Sequence, residues 1–163
     1  LCKPLPKDPS WRLPMPKRPA EYDNLVRTGA CHDTPASTTV VAGFISHAKQ
    51  YLAAAQALPN EASLPRFTLS YEGLYACVQA VLALHGVRTK DAGRQLAIQR
   101  VSADLGLSAT EFVTFSDAHN RRNGSTYQSP FPPLSEREAK AVLDLLHQLI
   151  GLTEAHIATF TTR

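Results

Sequence analysis

Two serines, each three residues ahead of a glutamate, constrain this chain more than any other feature: Ser108 in SATE and Ser135 in SERE. In such a capping box the serine side chain satisfies a free helix amide while the glutamate bonds back to the serine's own amide. Each pair therefore marks a helix start. Behind Ser108 come Phe112, Val113 and Phe115; behind Ser135 come Val142, Leu145, Leu146, Leu149, Ile150, Ile157 and Phe160, an apolar stripe at steps of three and four residues.

The same spacing recurs upstream. Val40, Val41, Phe44, Ile45, Ala48, Tyr51, Leu52 and Ala55 predict a helix over about 37–58, with Ser37 or Thr38 as its cap and Pro59–Asn60 as its stop. Leu74, Tyr75, Val78, Val81 and Leu82 predict a second over about 68–85, closed by Gly86. A third, about 89–105, would turn Ala92, Leu96, Val101 and Leu105 inward and leave Lys90, Arg94 and Arg100 as a basic face, solvated or, in the lesser alternative for Arg94 and Arg100, extending a phosphate-binding groove. No segment reads as a strand. The expected product is an all-α, up-and-down bundle of about five helices.

Residues 1–36 differ in kind. Prolines at 4, 6, 9, 14, 16, 19 and 35 interrupt any helical period, so the reading is an extended, proline-rich N-terminal arm before a helical domain spanning 37–163. Trp11, Leu13, Met15 and Tyr22 are its expected anchors. The same prolines break the layout of a secretory signal, and no apolar run reaches the roughly 18 residues of a spanning helix. A cytoplasmic protein without a membrane segment is expected.

Composition excludes little else. Seventeen Lys and Arg against 14 Asp and Glu give a net charge of +3, too small to indicate nucleic acid by itself. Three cysteines, Cys2, Cys31 and Cys77, lack CxxC spacing, which argues against a disulfide framework or zinc knuckle. Cys31–His32 is too small a ligand set to specify a metal, and neither metal nor cofactor is expected. Ser70 with His85 or His119 lacks a nucleophile-elbow context. His47, His147 and His156 read as packing or boundary residues, and His85, just before Gly86, as a residue that complements a helix dipole.

Chemistry concentrates in HNRRNGSTY, residues 119–127. Helical spacing puts His119 and Asn123 on one face with Arg122 beside them, and Arg121 and Arg122 offer planar donor forks suited to phosphate oxygens. Asn120 and Asn123 add amide donors. A plain helix end would explain the asparagines and Gly124 equally well.

LSYEGLYACVQAVLALHGVRTKDAG (69–93) followed by HNRRNGSTY resembles the HEPN superfamily of small helical bundles. In that family a tyrosine- and alanine-rich helix runs into a Gly-containing turn, and a later helix carries an arginine, a polar residue and then a histidine four to six positions on. Arg122 matches the arginine and Asn123 the polar residue. At the fifth position after Arg122 stands Tyr127 instead of histidine. The resemblance implies a homodimer with Arg122 near its groove, RNA or nucleotide as ligand, and a nucleotidyltransferase or antitoxin as partner in a toxin–antitoxin or defence system.

Three functions follow. The first is an accessory protein that binds nucleic acid or nucleotide through Arg121, Arg122, Asn120 and Asn123 without cleaving it. Metal-independent RNA cleavage needs a group titrating near neutrality, which imidazole supplies and a tyrosine of pKa near 10 does not. The second is an active ribonuclease using Arg122 with His119 or Tyr127. The third is a purely structural protein-interaction bundle, favoured if Arg122 is engaged by a carboxylate such as Glu72 or Asp117.

Overall fold

The computed structural model describes residues 16–163, the side chains of 125–127 excepted. The described chain is mostly helical, in the order α1 (Ala20–Arg27), β1 (Cys31–Asp33), α2 (Thr38–Ala57), α3 (Ser63–Leu84), β2 (Val87–Thr89), a short 3-10 turn (Asp91–Gly93), α4 (Arg94–Asp104), α5 (Ala109–Tyr127) and α6 (Glu136–Thr161). The all-α class expected from the apolar spacing is the class observed.

Both capping boxes form. Glu111 N donates to Ser108 Oγ at 3.2 Å while Ser108 N donates to Glu111 Oε2 at 2.7 Å, and Ser135 and Glu138 repeat the pair at 3.1 and 2.8 Å. Ser37 caps α2 by accepting from Val40 N. The third helix starts at Ser63 rather than near 68, because Pro65 lies in its first turn, where a missing N–H has no intrahelical partner to lose. It ends at Leu84, and after the capping His85 comes Gly86, whose φ of 67° is the left-handed turn glycine accommodates best.

The hydrophobic core is arranged around α3, which contacts α2, α4, α5 and α6, with α2 and α6 also packed on each other. Tyr71, Leu74, Cys77, Val78 and Val81 are wholly buried there, against Leu146 and Leu149 of α6 and Phe115 of α5. Among the described residues α3 is the one helix long and apolar enough to cross a membrane, and 78% of that window is buried within the protein. Its apolar character is that of a core helix.

Three expectations need correction. Residues 20–33 are not an extended arm: α1 and β1 put Tyr22, Leu25, Ala30 and Cys31 into the main core, and α1 is a sixth helix. Two turns are too short to stand out from the surrounding prolines, yet Tyr22 and Leu25 keep the i, i+3 spacing, with Glu21 and Asp23 in the first turn and Arg27 in the last. Arg18 fastens this segment, donating to Asp23 and Asp33 and to the carbonyl oxygens of His85 and Gly86. Of the expected anchors, Tyr22 is fully buried; Trp11, Leu13 and Met15 lie outside the described residues.

There is also a strand pair. Cys31 opposes Thr89 and Asp33 opposes Val87 in an antiparallel ladder, each strand only three residues long and so without legible alternation. The ladder takes up residues 87–89, which delays α4 to Arg94. The later start rotates its apolar face, so Ala97, Ile98 and Val101 turn inward while Ala92 and Leu96 are exposed. Gly93 makes the junction possible. A Cβ there would stand 1.8 Å from the Ala30 carbonyl oxygen.

Candidate functional site

At positions 119, 122 and 123 the three- and four-residue steps of α5 turn His119, Arg122 and Asn123 to one side of the helix. There they line a cleft of about 410 Å³ together with Asp91, Ala92, Arg94 and Gln95 from the 3-10 turn and the start of α4. The neighbouring positions point elsewhere. Arg121 reaches toward α6, 3.8 Å from Glu138, and donates to the Pro132 carbonyl; Asn120 is exposed and is not among the cleft residues. The expected four-residue phosphate cluster is thus divided by the helix: Arg122 and Asn123 share the cleft, and Arg121 and Asn120 do not. The side chain of Tyr127 lies outside the described residues.

Beneath the cleft α3 supplies two residues absent from the expected site. The Tyr71 hydroxyl and His119 Nδ1 are 2.7 Å apart, and Asn123 Nδ2 is 3.4 Å from His119 Nε2. A neutral imidazole carries one proton. If Asn123 donates to Nε2, the proton sits on Nδ1 and is given to the tyrosine oxygen. Burial, followed by the fields of Arg94 and Arg122, holds the His119 imidazole below its ordinary pKa, so it is neutral at pH 7. Tyr71 is pushed up to about 12, burial being the main cause, and remains a phenol rather than a base.

Glu72, one residue on, faces Arg122 at 3.4 Å, each side chain partly exposed. Arg122 also lies 5.7 Å from the centre of the Tyr71 ring. This is the intrachain carboxylate contact that favours a structural role. It does not take Arg122 out of the cleft, which the residue still lines.

Arg94 and Arg100 were expected on a solvated face, with a phosphate-binding groove as the alternative. Instead Arg100 is partly buried and paired with Asp104 at 2.5 Å, while Arg94 is stacked 4.4 Å from the centre of the Tyr75 ring and borders the cleft. Tyr71 is what sequence reasoning missed; Glu72 was foreseen as a carboxylate to engage Arg122, and Arg94 as the lesser alternative of a phosphate-binding groove. The one signal for Tyr71 is the i, i+4 pair Tyr71 and Tyr75 with Glu72 between them on a largely apolar helix.

Two other expectations resolve locally. Cys31 and His32 are neighbours in a strand, so their side chains leave on opposite faces, Cys31 buried and His32 exposed. His85 does not complement the α3 dipole. Burial, then His156, holds it down at about 4, and the charge at that helix end comes from Arg18.

Chemically, the cleft offers two guanidinium groups, two amides and a neutral imidazole, with Glu72 and Asp91 as countercharges. That set can hold an anion and accept a proton. No protein-family model matches the chain and no curated protein matches it, so the HEPN resemblance rests on residues 69–93 and 119–127.

Proposed function

We propose that the protein is a HEPN-like helical accessory domain that binds RNA or a nucleotide at the cleft of Arg122, acts as a homodimer in the cytoplasm, and serves beside a nucleotidyltransferase or antitoxin in a toxin–antitoxin or defence system without ribonuclease activity. The observation that carries the binding part is the convergence of Arg94, His119, Arg122 and Asn123 on one polar cleft. Guanidinium forks suit phosphate oxygens, and the family's histidine position holds Tyr127, so phosphate binding has its groups while the expected proton carrier is replaced.

A second reading is an active metal-independent ribonuclease. It is favoured by His119, neutral at pH 7 and within the same cleft as Arg122. Tyr71 would orient it, as a hydrogen-bonded partner orients a general base.

Fluorescence anisotropy with a labelled single-stranded RNA separates these readings. Arg122→Ala should weaken binding about tenfold or more. Glu72→Gln, which removes the competing carboxylate, should tighten it. RNA degradation by the purified protein, lost in His119→Ala, would establish the ribonuclease instead. If nothing binds and Arg122→Ala lowers only thermal stability, the domain is a structural interaction bundle.

A further inference from the structure

The partly buried arginines of the bundle are treated differently. Arg18 is paired with Asp23 and Asp33, Arg100 with Asp104, Arg121 with Glu138 and Arg122 with Glu72. Arg94 has no ion pair among the described residues. Its guanidinium lies on the Tyr75 ring and hydrogen-bonds the Tyr71 side chain, its Nη1 is buried without a hydrogen-bond partner, and the side chain borders the polar cleft. A buried charged donor left unmatched is costly, and a guanidinium cannot shed its proton to relieve that cost.

We propose that Arg94 is the principal anion-binding residue of the cleft, and that the ligand group it takes is a phosphoryl group recognised without regard to the base attached to it. Tyr75 holds the guanidinium in place, so little side-chain freedom is lost on binding. Tyr75 is itself positioned by a 2.6 Å hydrogen bond between its hydroxyl and Thr89 Oγ1 of β2. The β1–β2 ladder therefore sets the cleft geometry through Tyr75. Arg122 faces the same space from α5, and a phosphoryl oxygen between the two competes with Glu72 for Arg122.

Base recognition is absent for a physical reason. Among the described residues the cleft is lined by charged and amide side chains, Ala92 and the His119 imidazole, and that ring is buried, so the lining presents no exposed aromatic face for a base to stack on. This inference deepens the nucleic-acid reading above and rests on it for the identity of the polymer, while the phosphoryl specificity can be tested without any polymer.

The test uses inorganic phosphate and pyrophosphate in calorimetric titrations, and two RNA oligonucleotides of one sequence with a 5′-phosphate or a 5′-hydroxyl. Arg94→Gln should reduce pyrophosphate affinity about tenfold or more and lower the slope of RNA affinity against salt by roughly 0.7, one contact's worth for a single strand. Asp91→Asn, which removes an exposed acid at the cleft and does not endanger the fold, should raise affinity several-fold. A preference for the 5′-phosphate assigns the terminal group; equal binding assigns the internal phosphodiester, and either agrees with the proposal. If RNA binds but Arg94→Gln and Asp91→Asn change nothing, Arg94 is not the ligand residue and the nucleic-acid reading stands without it. If the unaltered protein binds neither pyrophosphate nor RNA, both are wrong; if pyrophosphate binds in an Arg94-dependent way and RNA does not, only the polymer assignment is wrong.

Discussion

Acid should destabilise this protein through one histidine. His85 closes α3 in a pocket made by Tyr22 of α1, whose ring centre is 4.1 Å away, Phe160 of α6 at 4.6 Å, and His156 of α6 at 6.1 Å. Both ring nitrogens are buried without a hydrogen-bond partner. Burial foremost, then His156 and more weakly Arg18, hold its pKa at about 4, with Asp104 as the opposing influence. The unfolded chain takes up the proton near 6.5, while the folded protein refuses it until about 4. Between these values the unfolded state binds more protons, so stability is complete above about 6.5 and is lost as the pH falls toward 4.

At ~1.4 kcal/mol per pKa unit, His85 alone should cost about 2 kcal/mol between pH 7 and pH 5, and about 3 kcal/mol by pH 4. His156 and His119, both held low chiefly by burial, act in the same direction. Subtraction isolates His85. Urea unfolding followed by circular dichroism at pH 7, 6 and 5 should show His85→Phe losing about 2 kcal/mol less than the unaltered protein across that range, because the aromatic contacts remain and the titrating nitrogens are gone. Two curves that run parallel within about 0.5 kcal/mol would refute the reasoning.

Glycine substitutions offer a paired test of packing. Gly93→Ala should destabilise by about 2–3 kcal/mol or more, since its Cβ would collide with the backbone of Ala30 and displace the oxygen that accepts from Lys90 N at 3.0 Å. Gly43→Ala, in α2 with open space around the position, should stabilise by about 0.5–1 kcal/mol. Thermal unfolding of the two should therefore shift in opposite directions. Ser108→Ala removes half of a formed capping box and should cost about 1 kcal/mol in urea unfolding, with Ser108→Asp retaining most of the stability.

The parts of the fold legible in the sequence are those whose information is local. A capping box is complete within four residues, and both occur where expected. The stripe of α6, from Val142 to Phe160, continues for about five turns, so its period is unambiguous. What escaped was set by tertiary contact. The three-residue strands are too short to show a period, and α1 is held by Tyr22 donating to Asp104 at 2.5 Å, across 82 residues of chain. Once β2 claims residues 87–89, the start of α4 moves and the inward face changes with it.

The candidate site divides along the same line. Helical spacing within α5 placed His119 beside Asn123 correctly and says nothing of what stands opposite. Tyr71 and Glu72 meet His119 and Arg122 across 48 and 50 residues of chain, and Arg94 enters through the displaced start of α4. The opposite wall alters the chemistry read from HNRRNGSTY. Arg122, the arginine that motif reasoning favours, already faces Glu72, whereas Arg94, which no motif includes, lies on Tyr75 without an ion pair among the described residues. On the proposed reading, an anion entering the cleft would compete with Glu72 for the first and meet no such competitor at the second. The cleft is therefore asymmetric, with the guanidinium that has no ion pair among the described residues on α4 and its imidazole on α5.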